Sequence, residues 1–297
     1  MKKSPLGAAA IALALSAGSA LAADLPSRKA PVEVPPPSPP LWTGLYVGLN
    51  AGGTFGGGGD ISVTHVDTNP DPAASTALSG VAKTSFAGFL GGGQAGYVYQ
   101  FSPLFVVGLE ADIQGVVGGG GSSSFSGGAA GVLVPANTFS GNGYVSQSFD
   151  YLGTARARAG YLVTPTLLAY ATGGLAYGWT NLNHTVYGAV TSGGAVTGVN
   201  YGNVNASRSR VGWTVGGGAE WAFAPNWSAK LEYLYYDLGS YNIGAQSQGV
   251  TLATHVASAG LSQVNGHFDG HVVRVGLNYH FSFDPSAPIV AKPVTKP

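Results

Sequence analysis

From Phe105 to Gln114 the chain alternates. Phe105, Val107, Leu109, Ala111 and Ile113 are apolar, while Gly108, Glu110, Asp112 and Gln114 share the opposite parity. A period of two predicts a strand with one apolar and one polar face. The pattern recurs in eight segments, roughly 43–53, 86–100, 105–115, 149–162, 167–179, 208–223, 228–238 and 270–282. The joins Phe101-Ser102-Pro103-Leu104, Val163-Thr164-Pro165-Thr166 and Ala224-Pro225-Asn226-Trp227 carry Pro and read as tight turns. The other four gaps, about 54–85, 116–148, 180–207 and 239–269, are long and rich in Gly, Ser, Thr and Asn. Long connections of this kind are uncommon in a compact soluble domain. Runs inside them, such as Thr185–Val190 and Val199–Tyr201, still alternate and suggest strands that continue as hairpins. No helix is predicted in the mature chain, so the fold class is all-β.

Parity shows which face is which. Arg156 and Arg158 oppose Ala155, Ala157, Ala159 and Tyr161; Glu220 opposes Val211, Trp213, Val215, Trp221 and Phe223. Lys230 and Glu232 oppose Leu231, Tyr233 and Tyr235, and Arg274 opposes Val273, Val275, Leu277, Tyr279 and Phe281. Glycines collect on the charged face, which marks it as the crowded, concave side. The apolar face ends in aromatics near the short turns: Tyr97, Tyr99, Phe101, Phe105, Tyr161, Phe223, Trp227, Tyr279 and Phe281. Charges inside, aliphatics outside and an aromatic girdle predict an eight-stranded antiparallel up-and-down transmembrane β-barrel. A soluble ligand-binding barrel would show the reverse polarity.

Composition and termini fit export to a membrane. Residues 1–22 read as a signal peptide: Lys2 and Lys3, an apolar run from Leu6 to Leu15, then Ala20-Leu21-Ala22. Residues 23–41, with Pro31, Pro35, Pro36, Pro37, Pro39 and Pro40, read as a Pro-rich periplasmic linker. Residues 42–283 are the expected barrel and 284–297 a periplasmic tail. Cys 0 excludes a disulfide scaffold and thiol chemistry. Loss of Lys2 and Lys3 takes Lys+Arg from 13 to 11 against Asp+Glu 13, so no basic surplus serves nucleic acid. Only 9% of residues are charged, too few to solvate an ordinary surface of this size.

The segments Trp42–Gly52, Gly91–Tyr97, Val211–Gly216 and Lys230–Tyr235 resemble the small alphaproteobacterial outer-membrane β-barrel family, described as outer-membrane immunogenic or porin-family proteins and related to the OmpA-like transmembrane barrel. The likeness covers roughly 42–283 and lies in the strands. It implies an eight-stranded barrel in the outer membrane of a Gram-negative cell, surrounded by outer-membrane lipids and lipopolysaccharide and inserted by the barrel-assembly machinery. Members commonly end on the last aromatic of the final strand. Here a tail follows Phe281 and Phe283, so Val273–Phe281 must act as an internal assembly signal.

The lumen-facing charges are Glu110, Asp112, Arg156, Arg158, Glu220, Lys230, Glu232 and Arg274, four acids and four bases. They make either a charged constriction that selects ions or an ion-pair network that fills the lumen. Eight strands enclose room only for side chains, which favours the network. Lys83, Arg208 and Arg210 lie near the outer strand ends, where lipopolysaccharide phosphates sit. Gly91, Gly93 and Gly96 match a dinucleotide fingerprint in spacing, but inside a strand pattern with no helix after it. The six histidines show no metal spacing, and no cofactor is expected. His267, His271 and Asp269, with a Ser still to be placed, are the nearest approach to a catalytic set. The reading is a non-enzymatic barrel with a structural and surface-interaction role, its loops open to host or phage ligands. A narrow channel for small solutes or ions is the alternative, and a lipid-modifying enzyme a more distant one.

Overall fold

A computed structural model of the chain describes residues 42–56, 59–252 and 255–281. The expected signal peptide, linker and tail lie outside the described residues, as do residues 282 and 283.

The elements are β1 (Gly44–Gly56), β2 (Asp60–Asp67), α1 (Pro72–Ala77), β3 (Gly80–Lys83), β4 (Phe86–Gln100), β5 (Phe105–Ala130), β6 (Asn137–Thr164), β7 (Leu167–Ser192), β8 (Ala195–Ala224), β9 (Trp227–Thr251) and β10 (Ala257–Phe281). The order β1-β4-β5-β6-β7-β8-β9-β10 closes on itself where β10 pairs with β1, from Leu45 opposite Phe281 to Phe55 opposite His271. All ladders of this eight-stranded ring are antiparallel. Above the end of β1, β2 takes its place on the edge of β10, pairing Gly260–Asn265 with Ser62–Asp67, and β3 pairs with β2.

The alternation decides the two faces as expected. Leu109 is 67% exposed and Val211 is 68% exposed, whereas Glu220 and Asn278, on the opposite parity, are 0% exposed. A soluble monomer rarely exposes a contiguous apolar patch above a few hundred Å². Here an apolar belt runs round the ring through Leu49, Leu109, Ile113, Leu175, Val211, Leu231 and Val275, which is a wall for hydrocarbon.

The strands continue through the long gaps as hairpins, as the alternating runs suggest, and two details need correcting. Most residues of the four gaps lie in strands and only a minority in loops. β5 to β10 run 25 to 30 residues each, through most of what the sequence presents as connection. A tilted strand crosses a bilayer in about 9–11 residues, so more than half of each strand stands clear of it. β7 and β8 meet in a two-residue turn, Gly193 and Gly194, at φ 58° and 84°. Both central positions of such a hairpin turn need positive φ, which glycine supplies without strain. The second correction is α1, one short helix inside the first gap. Asp71 caps it, its Oδ1 accepting from the Ala73 N–H at 3.0 Å, and Pro72 opens it.

Candidate functional site

The lumen is built in layers. At the end that carries the short turns Trp42, Tyr46, Val98, Val106, Leu162, Leu168 and Tyr170 form a small apolar cluster. Four residues further along the inward face of their strands stand the charges: Glu110 above Val106, and Arg158 above Leu162 in the opposite chain direction. Leu152, Leu234, Tyr236 and Val272 then begin a larger apolar cluster that includes Phe86, Phe149 and Phe268. A last cluster of Ala73, Ala74 and Ala77 of α1 with Phe139 caps the outer end.

The eight charged residues all lie in the middle layer, none more than 4% exposed. Arg156 sits at its centre. Its Nη2 donates to Glu110 and, at 3.0 Å, to Asp112 Oδ2; its Nη1 donates to Glu232 Oε1 at 3.0 Å. Its Nε donates to Thr154 Oγ1 at 2.8 Å, and Thr154 in turn donates to Asp112 Oδ2. Arg274 joins Glu232 through Nε at 2.7 Å and Asp112 through Nη2 at 2.8 Å. Lys230 Nζ lies 2.8 Å from both oxygens of Glu110. Arg158 Nη2 reaches Glu220 Oε2 at 2.5 Å, and its guanidinium lies over the Tyr170 ring, 4.1 Å from the centroid. Glu220 also accepts from Ser228 at 2.6 Å and Asn278 at 2.8 Å; Tyr170 donates to Glu232 at 2.9 Å.

Each carboxylate thus meets at least one cation and a neutral donor, and the four charges of each sign compensate. That matters because an isolated buried charge is very costly, whereas a fully paired one is tolerated. The glycines opposite make the space. A Cβ on Gly52 would lie 2.7 Å from the Cβ of Arg274, and one on Gly276 3.0 Å from the Lys230 stem.

The apolar layers above and below were not expected, yet their signal is in the parity. Leu234 and Tyr236 continue the inward row of Lys230 and Glu232; Leu152 continues that of Arg156 and Thr154. Phe86, Phe149 and Phe268 pack as a mutual triangle with centroids 5.2, 5.7 and 5.8 Å apart.

The nine expected girdle aromatics cluster near the short turns. Phe105 stacks on Phe101 and meets Tyr161 edge-on, and Tyr279 makes edge-on contacts with Trp227 and Phe281. Trp221 belongs with them, against Phe223. A second set that the sequence reading missed stands higher on the outer wall: Phe55, Trp179, Trp213, Tyr233, Tyr235 and His271. Of the three outer cations, Arg208 and Arg210 come together on β8. Lys83 stands apart on β3, 80% exposed and 3.6 Å from Asp60. The glycine fingerprint lies wholly within β4.

The suspected catalytic set is different from the one expected. His267 accepts or donates through Nδ1 with Ser240 Oγ at 3.0 Å, and its Nε2 lies 3.0 Å from Asp237 Oδ1. His271 instead binds the Tyr233 hydroxyl at 2.7 Å, and Asp269 accepts from Tyr235.

A closed ring with an apolar outer wall and its charges turned inward is the architecture of an outer-membrane β-barrel protein. The chain belongs to the outer membrane protein beta-barrel domain family, which matches residues 9–281. It is 35% identical over 276 residues to the 31 kDa outer-membrane immunogenic protein of Brucella melitensis, covering 90% of this chain and 96% of that one. It is 30% identical over 137 residues to the 25 kDa outer-membrane immunogenic protein of Brucella abortus, covering 46% and 48%. Among solved structures it is similar to the outer membrane protein OprG from Pseudomonas aeruginosa, at 10% identity and TM-score 0.34 over 81% of this chain and 98% of that one. Its place is the bacterial outer membrane.

Proposed function

We propose that this barrel serves the outer membrane as a structural element and a surface for recognition, and that it conducts no solute. The observation that supports the reading is the ion-paired layer held between two apolar clusters of inward-facing side chains, since an eight-stranded barrel encloses room only for side chains. The recognition half rests on the tall outer extension. At its tip Val132, Leu133 and Val134 are 64%, 60% and 48% exposed. The amides of Val132 and Leu133 donate to Asp71, at 2.9 and 3.0 Å, so this apolar tip is held in one shape before any partner arrives. Planar-bilayer recording of the purified mature protein tests the closed lumen. The expected trace is flat, and reproducible unit steps would replace this reading with a narrow channel.

A second reading, lipid modification, draws on the Ser240–His267–Asp237 contacts. It is the weaker one because Ser240 is exposed and the His267 side chain is 42% exposed. The water-excluded, preorganised surroundings that stabilise a developing oxyanion are not built round it.

A further inference from the structure

Between β8 and β9 the ladder of the barrel wall is interrupted. β8 and β9 pair at Gly198–Gly202 with Ser247–Thr251 and again from Trp213 opposite Asp237, but not between. Through that interval β8 stays on β7 and β9 on β10, so each presents an unpaired edge to the other. Unpaired backbone in hydrocarbon costs several kcal/mol per group. An opening therefore belongs at or above headgroup depth. Its lower border agrees: Val211 and Trp213, exposed on the lipid side, mark the rim where pairing resumes, and Trp179 lies opposite Ser209.

The opening is a cleft of about 460 Å³ lined by Arg208–Val211 and Leu238–Ile243. Leu182, Tyr241, Ile243 and Phe268, of the large apolar lumen cluster, lie behind it. Arg210 bridges the two edges. Its Nη1 donates to the Ser240 carbonyl at 3.2 Å, its Nε to Thr180 Oγ1 at 3.0 Å, and it lies 5.2 Å from the Tyr241 ring centroid. Arg208 lines the same cleft, is exposed, and its guanidinium makes no hydrogen bond or ion pair among the described residues. Two carboxylates on strands of this region are engaged elsewhere, Asp237 by His267 and Asp150 by Asn181.

We propose that this cleft is a binding site for the phosphorylated headgroup of an outer-leaflet glycolipid, with Arg208 as its principal ligand and Arg210 as the second. A planar guanidinium presents paired donors that match a phosphate. The lipid's chains lie down the adjoining apolar wall over Val211 and Trp213, so the one molecule meets both a cationic niche and a hydrocarbon surface. Arg210 already ties the two edges together, whereas the Arg208 guanidinium has no hydrogen bond or ion pair among the described residues. The proposal rests on the outer-membrane location and not on a closed lumen.

The mature protein in non-ionic detergent is titrated by native mass spectrometry with bisphosphorylated lipid A, with its dephosphorylated counterpart and with inorganic phosphate. The bisphosphorylated lipid is expected to bind stoichiometrically and the dephosphorylated one at least about tenfold more weakly. Arg208→Gln removes no hydrogen bond or ion pair among the described residues, so it is expected to fold and to weaken binding about tenfold. Lys83→Gln changes nothing. Equal affinity of Arg208→Gln and the unaltered protein would overturn the proposal. So would inorganic phosphate binding as tightly as the lipid, which would make this a free-phosphate site. A conducting channel with normal lipid binding would leave it standing.

Discussion

Glu110 and Arg156 face each other directly across the β5–β6 ladder, and the same guanidinium also reaches Asp112 and Glu232. One cation thus links three carboxylates contributed by two strands that are not neighbours, β5 and β9. Removing one member of a buried ionic network leaves its partners uncompensated and costs about 3–5 kcal/mol. Arg156→Ala is therefore expected to lower the temperature at which the folded band is lost on heat-modifiability gels. Adding Glu110→Ala should cost less than the sum of the two, because the second change removes a charge the first had stranded. Unchanged band mobility in Arg156→Ala with Arg158→Ala would sink the network as a stabilising element.

Loss of those charges is not expected to open a path. On the proposed reading the ring triangle of Phe86, Phe149 and Phe268 still blocks the lumen above them, and Trp42, Tyr46 and Leu168 block it below. The double arginine variant should record the same flat baseline in planar bilayers as the unaltered protein. Discrete current steps in that variant would show that the ionic layer alone is the seal. Phe268→Ala, by contrast, is expected to destabilise the fold by about 3–5 kcal/mol through its cavity.

How much of this could be read from the chain differs by region. Where one face meets lipid and the other a lumen, the contrast is sharp, and all eight lumen charges are legible by parity alone. Outside the bilayer both faces tolerate Ser, Thr, Asn and Gly, so alternation fades although the strands go on. β9 adds a second obstacle. Lys230, Glu232, Leu234, Tyr236 and Leu238 point inward, but Tyr241, Ile243, Ala245 and Ser247 do so beyond Gly239. A bulge at that residue, φ 81°, shifts the parity by one and breaks the pattern mid-strand. The Ser240–His267 contact and the wall cleft both sit at this shift, in β9 and the register break of β10. No periodicity argument reaches across it. The sign of α1 was present in Asp71-Pro72, a cap followed by a residue suited to the first helical turn, but six residues give no helical period to confirm it.

Asp71 ties the helix to a tip sixty-one residues away, and this sets a pH dependence. Burial works to raise its pKa, but the N–H groups of Ala73, Val132, Leu133 and Val134 outweigh burial and hold the carboxyl below its usual value. A depressed folded-state pKa means the contribution is complete above the unfolded value, about 3.9, and is lost as pH falls through the folded value. Limited proteolysis at the β5–β6 turn is therefore expected to be slow at neutral pH and to accelerate below about pH 4. Asp71→Asn should show fast cleavage at neutral pH already, with the membrane-embedded barrel intact on gels. A tip equally protected in Asp71→Asn would refute the clamp.

Ser240, His267 and Asp237 form an arrangement, among the described residues, that would overturn a non-enzymatic reading if it proved catalytic. A nucleophile, a base and an orienting acid at 3.0 Å spacings satisfy the first geometric condition for acyl transfer. The second condition, donors preorganised for the oxyanion in a site closed to water, is unmet on an exposed outer wall. The contacts are better understood as stitching the shifted register of β9 to β10, since Ser240 is the residue paired with His267 at the break. Deletion of the gene, and Ser240→Ala in its place, are both expected to leave the mass spectrum of extracted lipid A unchanged. Ser240→Ala should instead reduce stability slightly, by about 0.5–1.5 kcal/mol for one lost hydrogen bond. An acyl-chain mass difference that appears on deletion, and that the unaltered protein but not Ser240→Ala reverses, would establish catalysis and overturn the structural reading of these three residues.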